Sequence, residues 1–269
     1  MIPKNRVPID SQPGQRNIEH SMNKSAKLVE LRHSLARYGL PPERAPIPLG
    51  HPQADAILGG GLRPGALHEV FPSGWSAGGF AVLLALMAAG RKPFFWIRSD
   101  YEAMEYGALS PNGLLELGGD PQHLIQVRTR NAADALCAAN DILACAHVGA
   151  VLLEVDGMPK CLDLVASRRL AFTAGESGVT LLLLRNGAQA EPSAALTRWQ
   201  VASGISGIHD DDWGNPVFAA ELVRHRLGGL GNFFLKWNVQ NACFETADIG
   251  AVVSAPAGRP VHAQARRAV

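Results

Sequence analysis

Charged residues are scarce in this chain of 269 residues. They make up 18% of it, hydrophobic residues make up 47%, and the formal net charge is +1. Soluble proteins are on average about a quarter charged, so much of this surface must be uncharged, which favours assembly with partners. A net charge near zero also excludes a global field that draws the protein onto nucleic acid. The length suits one large domain with a buried core.

Cysteine is also rare. The four cysteines are widely spaced and form no CxxC pair: Cys137, Cys145, Cys161 and Cys243. This spacing indicates neither a zinc site nor a disulfide framework. We expect reduced thiols buried in the core of a cytoplasmic protein, with no metal ion and no other cofactor.

No apolar run is long enough for a membrane helix. The longest, "FAVLLALMAAG" from residue 80, has about half the length that spans a bilayer. The polar, Pro-containing residues 1–24 have no apolar region of the kind found in secretory signals. We predict a cytoplasmic protein without membrane contact.

Four regions are predicted along the chain. Residues 1–24 read as a disordered leader, and residues 25–41 as a helix that begins at Ser25 and has leucines at helical spacing. A core domain follows over residues 42–240. Residues 241–269 read as a flexible basic tail, in which three arginines stand near the end without an acidic neighbour: Arg259, Arg266 and Arg267.

The core alternates apolar strands with helical segments. This order is typical of an α/β domain whose mostly parallel sheet is covered by helices on both faces. Two later runs, "VFAAELVRHRL" and "NFFLKWN", flank glycines and predict a C-terminal antiparallel β-hairpin. The predicted strands before them are "ALHEVF", "PFFWIRS", "HLIQVR", "GAVLLEV" and "GVTLLLLRNG".

A glycine-rich loop stands between the first strand and an apolar helix, in the context of a phosphate-binding loop. Such a loop needs backbone N–H groups, a lysine and a hydroxyl. Here Gly78 stands at the lysine position and Gly79 at the hydroxyl position. Loss of the lysine contact alone costs a few kcal/mol, on the order of a charge-assisted hydrogen bond. We predict no catalytic residue and no nucleotide site, only the remnant of such a loop: Ser73, Gly74, Gly78 and Gly79.

The segment "PLGHPQADAILGGGLRPGALHEVFPSGWSAGGF" resembles the part of RecA that leads into its Walker A loop, with Glu69 at the glutamate of that strand. The resemblance implies a RecA-like three-layer domain with a degenerate P-loop. It also aligns Asp100, Glu154 and Asn186 with the catalytic carboxylate, the Walker B position and the nucleotide-sensing amide. Without lysine and hydroxyl, we interpret these three as strand-end residues that make local hydrogen bonds.

The two segments that hold DNA in RecA are short in this chain. They correspond to "DGMPKCL" at residues 156–162 and "NGAQAEPSA" at residues 186–194. Such short intervals have no room for the basic and aromatic side chains that hold phosphates and stack on bases. We therefore expect neither RecA-like strand exchange nor direct DNA binding through them.

Residues 45–240 resemble the ImuA family, most distinctively in "PSAALTRWQV", and also in "GALHEVF" and "DLVASRRLAFTAGESGVTLLLLR". The resemblance implies a non-catalytic accessory protein of SOS mutagenesis. Its partners would be an ImuB-like relative of Y-family polymerases and an error-prone DnaE-type polymerase. Two alternatives stay open: a SulA-like inhibitor of cell division that binds FtsZ, and a RecA-like ATPase with an unorthodox phosphate loop.

Partner contacts are the sites that matter for an accessory protein. Arg198 and Trp199 are candidates, since both residue types are common in interface hot spots; the alternative is Trp199 buried on a strand beside a solvated Arg198. The helix over residues 25–41 is a candidate contact for RecA or a second copy of the chain. The tail arginines Arg259, Arg266 and Arg267 are candidate contacts to a partner or to DNA, with solvated disorder as the alternative.

Overall fold

The computed structural model describes residues 44–73, 78–206 and 214–247. The predicted leader, the predicted helix over residues 25–41 and Gly74 lie outside the described residues. The same holds for Arg259, Arg266 and Arg267.

One nine-stranded sheet organises the described chain, in the order β3-β2-β4-β5-β1-β6-β7-β8-β9. Strands β1 to β6 are parallel to their neighbours, and β7, β8 and β9 continue the sheet antiparallel beyond β6. The predicted α/β fold and the added hairpin are confirmed. The strands are β1 Leu67–Pro72, β2 Phe94–Ser99, β3 Leu124–Thr129, β4 Ala150–Asp156, β5 Thr180–Asn186, β6 Thr197–Ser203, β7 Val217–His225, β8 Gly231–Asn238 and β9 Cys243–Thr246.

Helices cover both faces of the sheet. Local signals set their ends: the side chain of Asn131 caps α5, and that of Asp163 caps α6, which ends at Gly178 with a φ of +83°. The helices are α1 Pro52–Leu58, α2 Gly78–Ala89, α3 Asp100–Glu105, α4 Pro111–Glu116, α5 Ala132–Leu143 and α6 Leu164–Ser177, with a short 3₁₀ turn at Pro121–His123.

Helix α2 lies inside the protein, which explains why its sequence is apolar all round. Its Phe80 is fully buried and contacts the rings of Trp199, Phe218 and Phe244 at centroid distances of 5.8, 5.5 and 5.5 Å. On the other face of the sheet, α5 and α6 pack over a second apolar cluster that includes Leu153 and other strand residues.

The core extends past the predicted boundary at residue 240. Strand β9 pairs with β8, and its Phe244 is fully buried against Phe80 and Trp237. Strand β9, Cys243–Thr246, therefore belongs to the sheet and not to a flexible tail. Strand β9 covers only four residues, too few for a clear alternation of apolar and polar positions.

The cysteines are free, as expected, but the prediction that they are buried is wrong. Cys137, Cys145 and Cys161 are exposed, and Cys243 is half-buried. Cys137 shows the reason. Helix α5 buries Ala135 and Ala139, which lie one turn apart, and Cys137, midway between them, lies on the solvent side of the helix.

Candidate functional site

Polar residues from three neighbouring strands meet at the carboxyl edge of the sheet. Glu154 on β4 accepts a hydrogen bond from Asn186 Nδ2 on β5 through Oε1, at 2.9 Å. Its Oε2 accepts one from Trp96 Nε1 on β2 at 3.0 Å and lies 3.1 Å from Arg98 Nε. All four residues are buried. Because parallel strands end at one edge, the fold assembles this cluster from residues far apart in the sequence.

A second carboxylate joins the cluster from helix α3. Glu102 and Ser99 form a capping box, and Glu102 Oε1 accepts a hydrogen bond from the backbone N–H of Asp156 at 3.1 Å. Arg98 donates to the carbonyl of Glu102 at 2.7 Å through one terminal nitrogen and to that of Gly107 at 2.9 Å through the other. The cluster therefore ties α3 and the loop after it to the ends of β2 and β4.

Three carboxylates and one guanidinium belong to this network: Glu154 pairs with Arg98, Glu102 accepts from the backbone N–H of Asp156, and Asp156 accepts from Tyr106. Burial raises the pKa of Glu154; the Glu102 carboxylate also raises this pKa, while Arg98, Trp96 and Asn186 oppose the rise. Burial, followed by the hydrogen bond that Tyr106 donates to Asp156, raises the pKa of Tyr106, so the phenol stays neutral.

The cluster forms one wall of a cavity of about 520 Å³ that lies beside the first turn of α2. The remaining walls are mostly apolar. The described residues that line it are Pro72, Gly78, Gly79, Val82, Trp96, Arg98, Tyr106, Gly107, Ala108, Leu109, Ser110, Leu117, Glu154, Leu184, Asn186 and Gly187.

The predicted remnant of a phosphate loop divides in two. Gly78 and Gly79 open α2 and line the cavity, whereas the hydroxyl of Ser73 accepts a hydrogen bond from Gln200 Nε2 at 2.6 Å. A Cβ at Gly78 would lie 3.8 Å from Leu184, and one at Gly79 would lie 3.7 Å from Phe218, both ordinary contacts. Space therefore does not require glycine at either position. Among the lining residues there is no lysine.

Of the three residues aligned with RecA's catalytic positions, the structure brings two into contact and places the third elsewhere. Glu154 and Asn186 are hydrogen-bonded to each other and line the cavity. Asp100 is exposed at the start of α3, does not line the cavity, and pairs with Arg128 at 2.9 Å. Glu102, two positions later, supplies the carboxylate of the network in its place.

Five members of the cluster were missed from the sequence: Trp96, Arg98, Glu102, Tyr106 and Asp156. Two signals point to them in retrospect. The stretch "SDYE" from Ser99 has the spacing of a capping box, which predicts the inward turn of Glu102. Arg98 interrupts an apolar strand, and a buried arginine needs a carboxylate partner. No such pattern marks Tyr106.

The predicted partner contacts on β6 lie inside the protein. Trp199 is fully buried, so its indole cannot meet a partner, and this prediction is wrong. The alternative was a buried Trp199 beside a solvated Arg198. It is right for Trp199 but not for Arg198, whose side chain is only 11% exposed. Arg198 Nε donates to Glu69 Oε2 at 2.7 Å. Arg185 and Arg224 also interact electrostatically with Glu69.

An exposed apolar surface lies on helix α6. Val165 and Phe172 are 62% and 69% exposed, and their spacing of two turns puts them on one face. Arg168 and Arg169 are exposed between them. We name Val165, Arg168, Arg169 and Phe172 the α6 face. Exposed apolar side chains that cluster in this way are typical of protein contacts.

Two kinds of feature are not found over the ranges 44–73, 78–206 and 214–247. No group of three or more His, Cys, Asp or Glu side chains there could hold a metal ion. The helices in these ranges are also too short or too polar to cross a membrane.

Known proteins resemble the chain in sequence and in fold. Two curated proteins named Protein ImuA, from two strains of Caulobacter vibrioides, are each 32% identical to it over 217 residues, which cover 72% of this chain and 85% of theirs. The crystal structure of the RadB recombinase matches with a TM-score of 0.51 at 16% identity and covers 75% of this chain and 100% of RadB. The RadB match shows a RecA-like fold alone. A scan of protein-family profiles matches none.

Proposed function

The chain belongs to the ImuA family, and on that premise we propose that it is a non-catalytic, RecA-like accessory protein of SOS-induced, error-prone translesion DNA synthesis. Its partners in this proposal are an ImuB-like relative of Y-family polymerases and an error-prone DnaE-type polymerase. Its place of action is the cytoplasm.

The charge of the cavity beside α2 carries the non-catalytic part of the proposal. A triphosphate there would meet the carboxylate of Glu154 on the wall, with those of Asp156 and Glu102 behind it, whereas Arg98 already directs its terminal nitrogens to backbone carbonyls. No lining residue is a lysine, and the terminal nitrogens of the lining Arg98 are already bound to backbone carbonyls, so these walls offer no free cation in place of the one that a phosphate loop supplies. The site therefore opposes polyphosphate binding.

The loops that follow β4 and β5 support an accessory role in which these loops do not bind DNA. Residues 157–163 join β4 to α6, and residues 187–196 join β5 to β6. The second loop is held against the protein, since Arg198 donates to Glu191 O at 2.6 Å and to Ser193 Oγ at 3.1 Å. We propose that both loops are too short to wrap a DNA strand.

We assign the contact with the ImuB-like partner to the α6 face. Phe172 is a large exposed side chain beside two arginines, and aromatic and arginine residues carry much of the energy of protein interfaces. Since Phe172 contributes little to the core, a polar substitution there changes the surface and leaves the fold intact.

A pull-down tests the proposal. The tagged full chain, recovered from DNA-damaged cells, should retain an ImuB-like protein and a DnaE-type polymerase. Phe172→Ser should lower their recovery at least about tenfold, which is the loss of a hot-spot contact. Phe234→Ser is the matched control, because Phe234 is an exposed phenylalanine on β8.

Each other outcome has its own meaning. Recovery of neither partner by the unsubstituted chain would contradict the proposed function. Recovery of FtsZ in their place would support the SulA-like alternative. Equal recovery by Phe172→Ser would remove the α6 face from the proposal and keep the function.

A further inference from the structure

We infer that the cavity beside α2 binds a flat apolar group that carries a positive charge, supplied by a small aromatic amine or by adjacent aromatic and basic side chains of a peptide. The inference rests on the walls of the cavity and not on the proposed partners.

The size and lining of the cavity define the apolar part of the ligand. Cavities of about 300 to 1,000 Å³ with mainly apolar walls and a few polar groups are typical of small-molecule sites, and this one has about 520 Å³. Val82, Leu109, Leu117 and Leu184 line it. An indole-sized ring with a short side chain fits that volume.

The arrangement of Arg98 argues against an anionic ligand. Its two terminal nitrogens donate to Gly107 O and Glu102 O, its Nε lies 3.1 Å from Glu154, and its guanidinium lies 5.0 Å from the ring centroid of Trp96. The guanidinium is therefore already held by the protein on several sides. An incoming carboxylate or phosphate would have to displace these contacts.

The carboxylates argue for a cation. Glu154 lines the cavity, Asp156 holds the lining residue Tyr106, and Glu102 lies directly behind them. Only Arg98 offsets these three negative charges in the network. Because charges interact more strongly in a partly buried site than in water, a bound ammonium group gains from this imbalance and a carboxylate loses. Burial also raises the pKa of Glu154, because it destabilises the ionised carboxylate, and a nearby cation would stabilise that carboxylate.

Three probes that share one ring and differ in charge test the inference. Purified full-length protein is titrated by calorimetry with tryptamine, indole and indole-3-acetate. Tryptamine should bind about tenfold more tightly than indole, and indole-3-acetate should bind more weakly still. No binding of tryptamine at millimolar concentration, or binding of indole-3-acetate as tight as that of tryptamine, would overturn the inference.

Two substitutions place the binding in this cavity. Ala108→Trp fills the cavity from an exposed loop position and should abolish tryptamine binding. Asp156→Asn removes one carboxylate and should weaken the binding of tryptamine several-fold more than the binding of indole. Asp120→Asn, at an exposed carboxylate outside the network, is the matched control. Unchanged tryptamine binding by Ala108→Trp would also overturn the inference.

A peptide arm identifies the source of the ligand. The blocked peptide Lys-Trp-Lys carries the same ring between two ammonium groups. Displacement of tryptamine by this peptide supports the inference with a protein segment as the source. Binding of tryptamine alone supports it with a free amine as the source. Since no partner protein is present, failure here is distinct from failure of the pull-down.

Discussion

His68 is a fully buried histidine at the start of β1 whose hydrogen bonds define its protonation. Trp199 Nε1 donates to Thr197 Oγ1 at 3.1 Å, and Thr197 Oγ1 lies 2.8 Å from His68 Nδ1. His68 Nε2 lies 2.8 Å from the carbonyl of Arg63. The carbonyl can only accept, so Nε2 carries the proton and Nδ1 accepts from the hydroxyl. The network is complete with a neutral imidazole.

The stability of the protein should therefore fall as the pH falls from 6.5 to about 4. Burial lowers the pKa of His68 to about 4; His225 also lowers it, and the contact with Arg63 O raises it. In this pH range the unfolded chain binds a proton that the folded chain rejects. The folded state thereby loses up to about 3 kcal/mol that it has above pH 6.5.

Urea unfolding measured at several pH values checks this expectation. His68→Gln should flatten the loss between pH 6.5 and 4, whereas His147→Gln, at an exposed position, should leave the curve as it is. Burial also lowers the pKa of His51 and of His225, so the slope does not vanish. Parallel curves for the natural chain and His68→Gln would show that His68 is not the group responsible.

Glu69 should matter more for stability than its partner Arg198. Glu69 is buried, and the positive charges of Arg185, Arg198 and Arg224 all interact with it. Glu69→Gln leaves the three guanidinium groups beside one another, with the half-exposed Glu191 near Arg185, and should cost about 3 to 5 kcal/mol. Arg198→Gln leaves Glu69 with two cations and should cost about 1 to 3 kcal/mol. Equilibrium unfolding at pH 7 measures both, and the reverse order would contradict the argument.

Among the elements, β9 is small but should be essential to the core. Phe244 is fully buried and packs against Trp237 at a ring distance of 5.0 Å. Phe244→Ala should lower the free energy of unfolding by about 3 to 5 kcal/mol, as for other buried phenylalanines. Phe234→Ala, at an exposed ring on the neighbouring strand, should cost less than about 1 kcal/mol. Equal losses in a denaturant titration would show that β9 does not close the core.

The strands that could be predicted from the sequence are those with a strong local signal. β2, β4 and β5 are continuous apolar runs, and their burial on both faces of a parallel sheet explains that composition. Helix α1 was not predicted, because Pro52–Leu58 stands among glycines and prolines. Its cap is a histidine, since His51 Nδ1 accepts from the backbone of Ala54 at 3.2 Å, and histidine is not a usual capping residue.

The candidate site was predictable only in part. Glu154 lies near the carboxyl end of β4 and Asn186 ends the neighbouring parallel strand β5, so their meeting follows from the topology. Glu102 reaches the backbone N–H of Asp156 because Ser99 caps α3 and turns the carboxylate inward, and Tyr106 reaches the Asp156 carboxylate from the end of that helix. The capping box predicts the inward turn of Glu102, but the contacts that Glu102 and Tyr106 make with the end of β4 depend on how α3 packs on the sheet.

For the whole molecule, the carboxylates at the cavity beside α2 predict that nucleotide does not stabilise the protein. A thermal-shift titration with millimolar Mg-ATP should move the melting temperature by less than about 1 °C, because a ligand that binds weakly adds little to the free energy of unfolding. The double variant Gly78→Lys, Gly79→Thr is a useful comparison, since both positions have room for a side chain. It restores the lysine and the hydroxyl but keeps the three carboxylates, so its shift should stay small. A rise of several degrees with the natural chain would support the ATPase alternative.

The position of β1 in the sheet has a consequence for synthesis on the ribosome. β1 lies between β5 and β6, and its Glu69 bonds to a residue 129 positions later. Helix α2, apolar on every side, therefore leaves the ribosome long before the strands that flank β1 exist. Contacts so distant in sequence make folding slow. Until those strands are made, the apolar helix is exposed on the nascent chain. We therefore expect the yield of folded protein in cells to depend on chaperones more than the stability of the folded protein suggests.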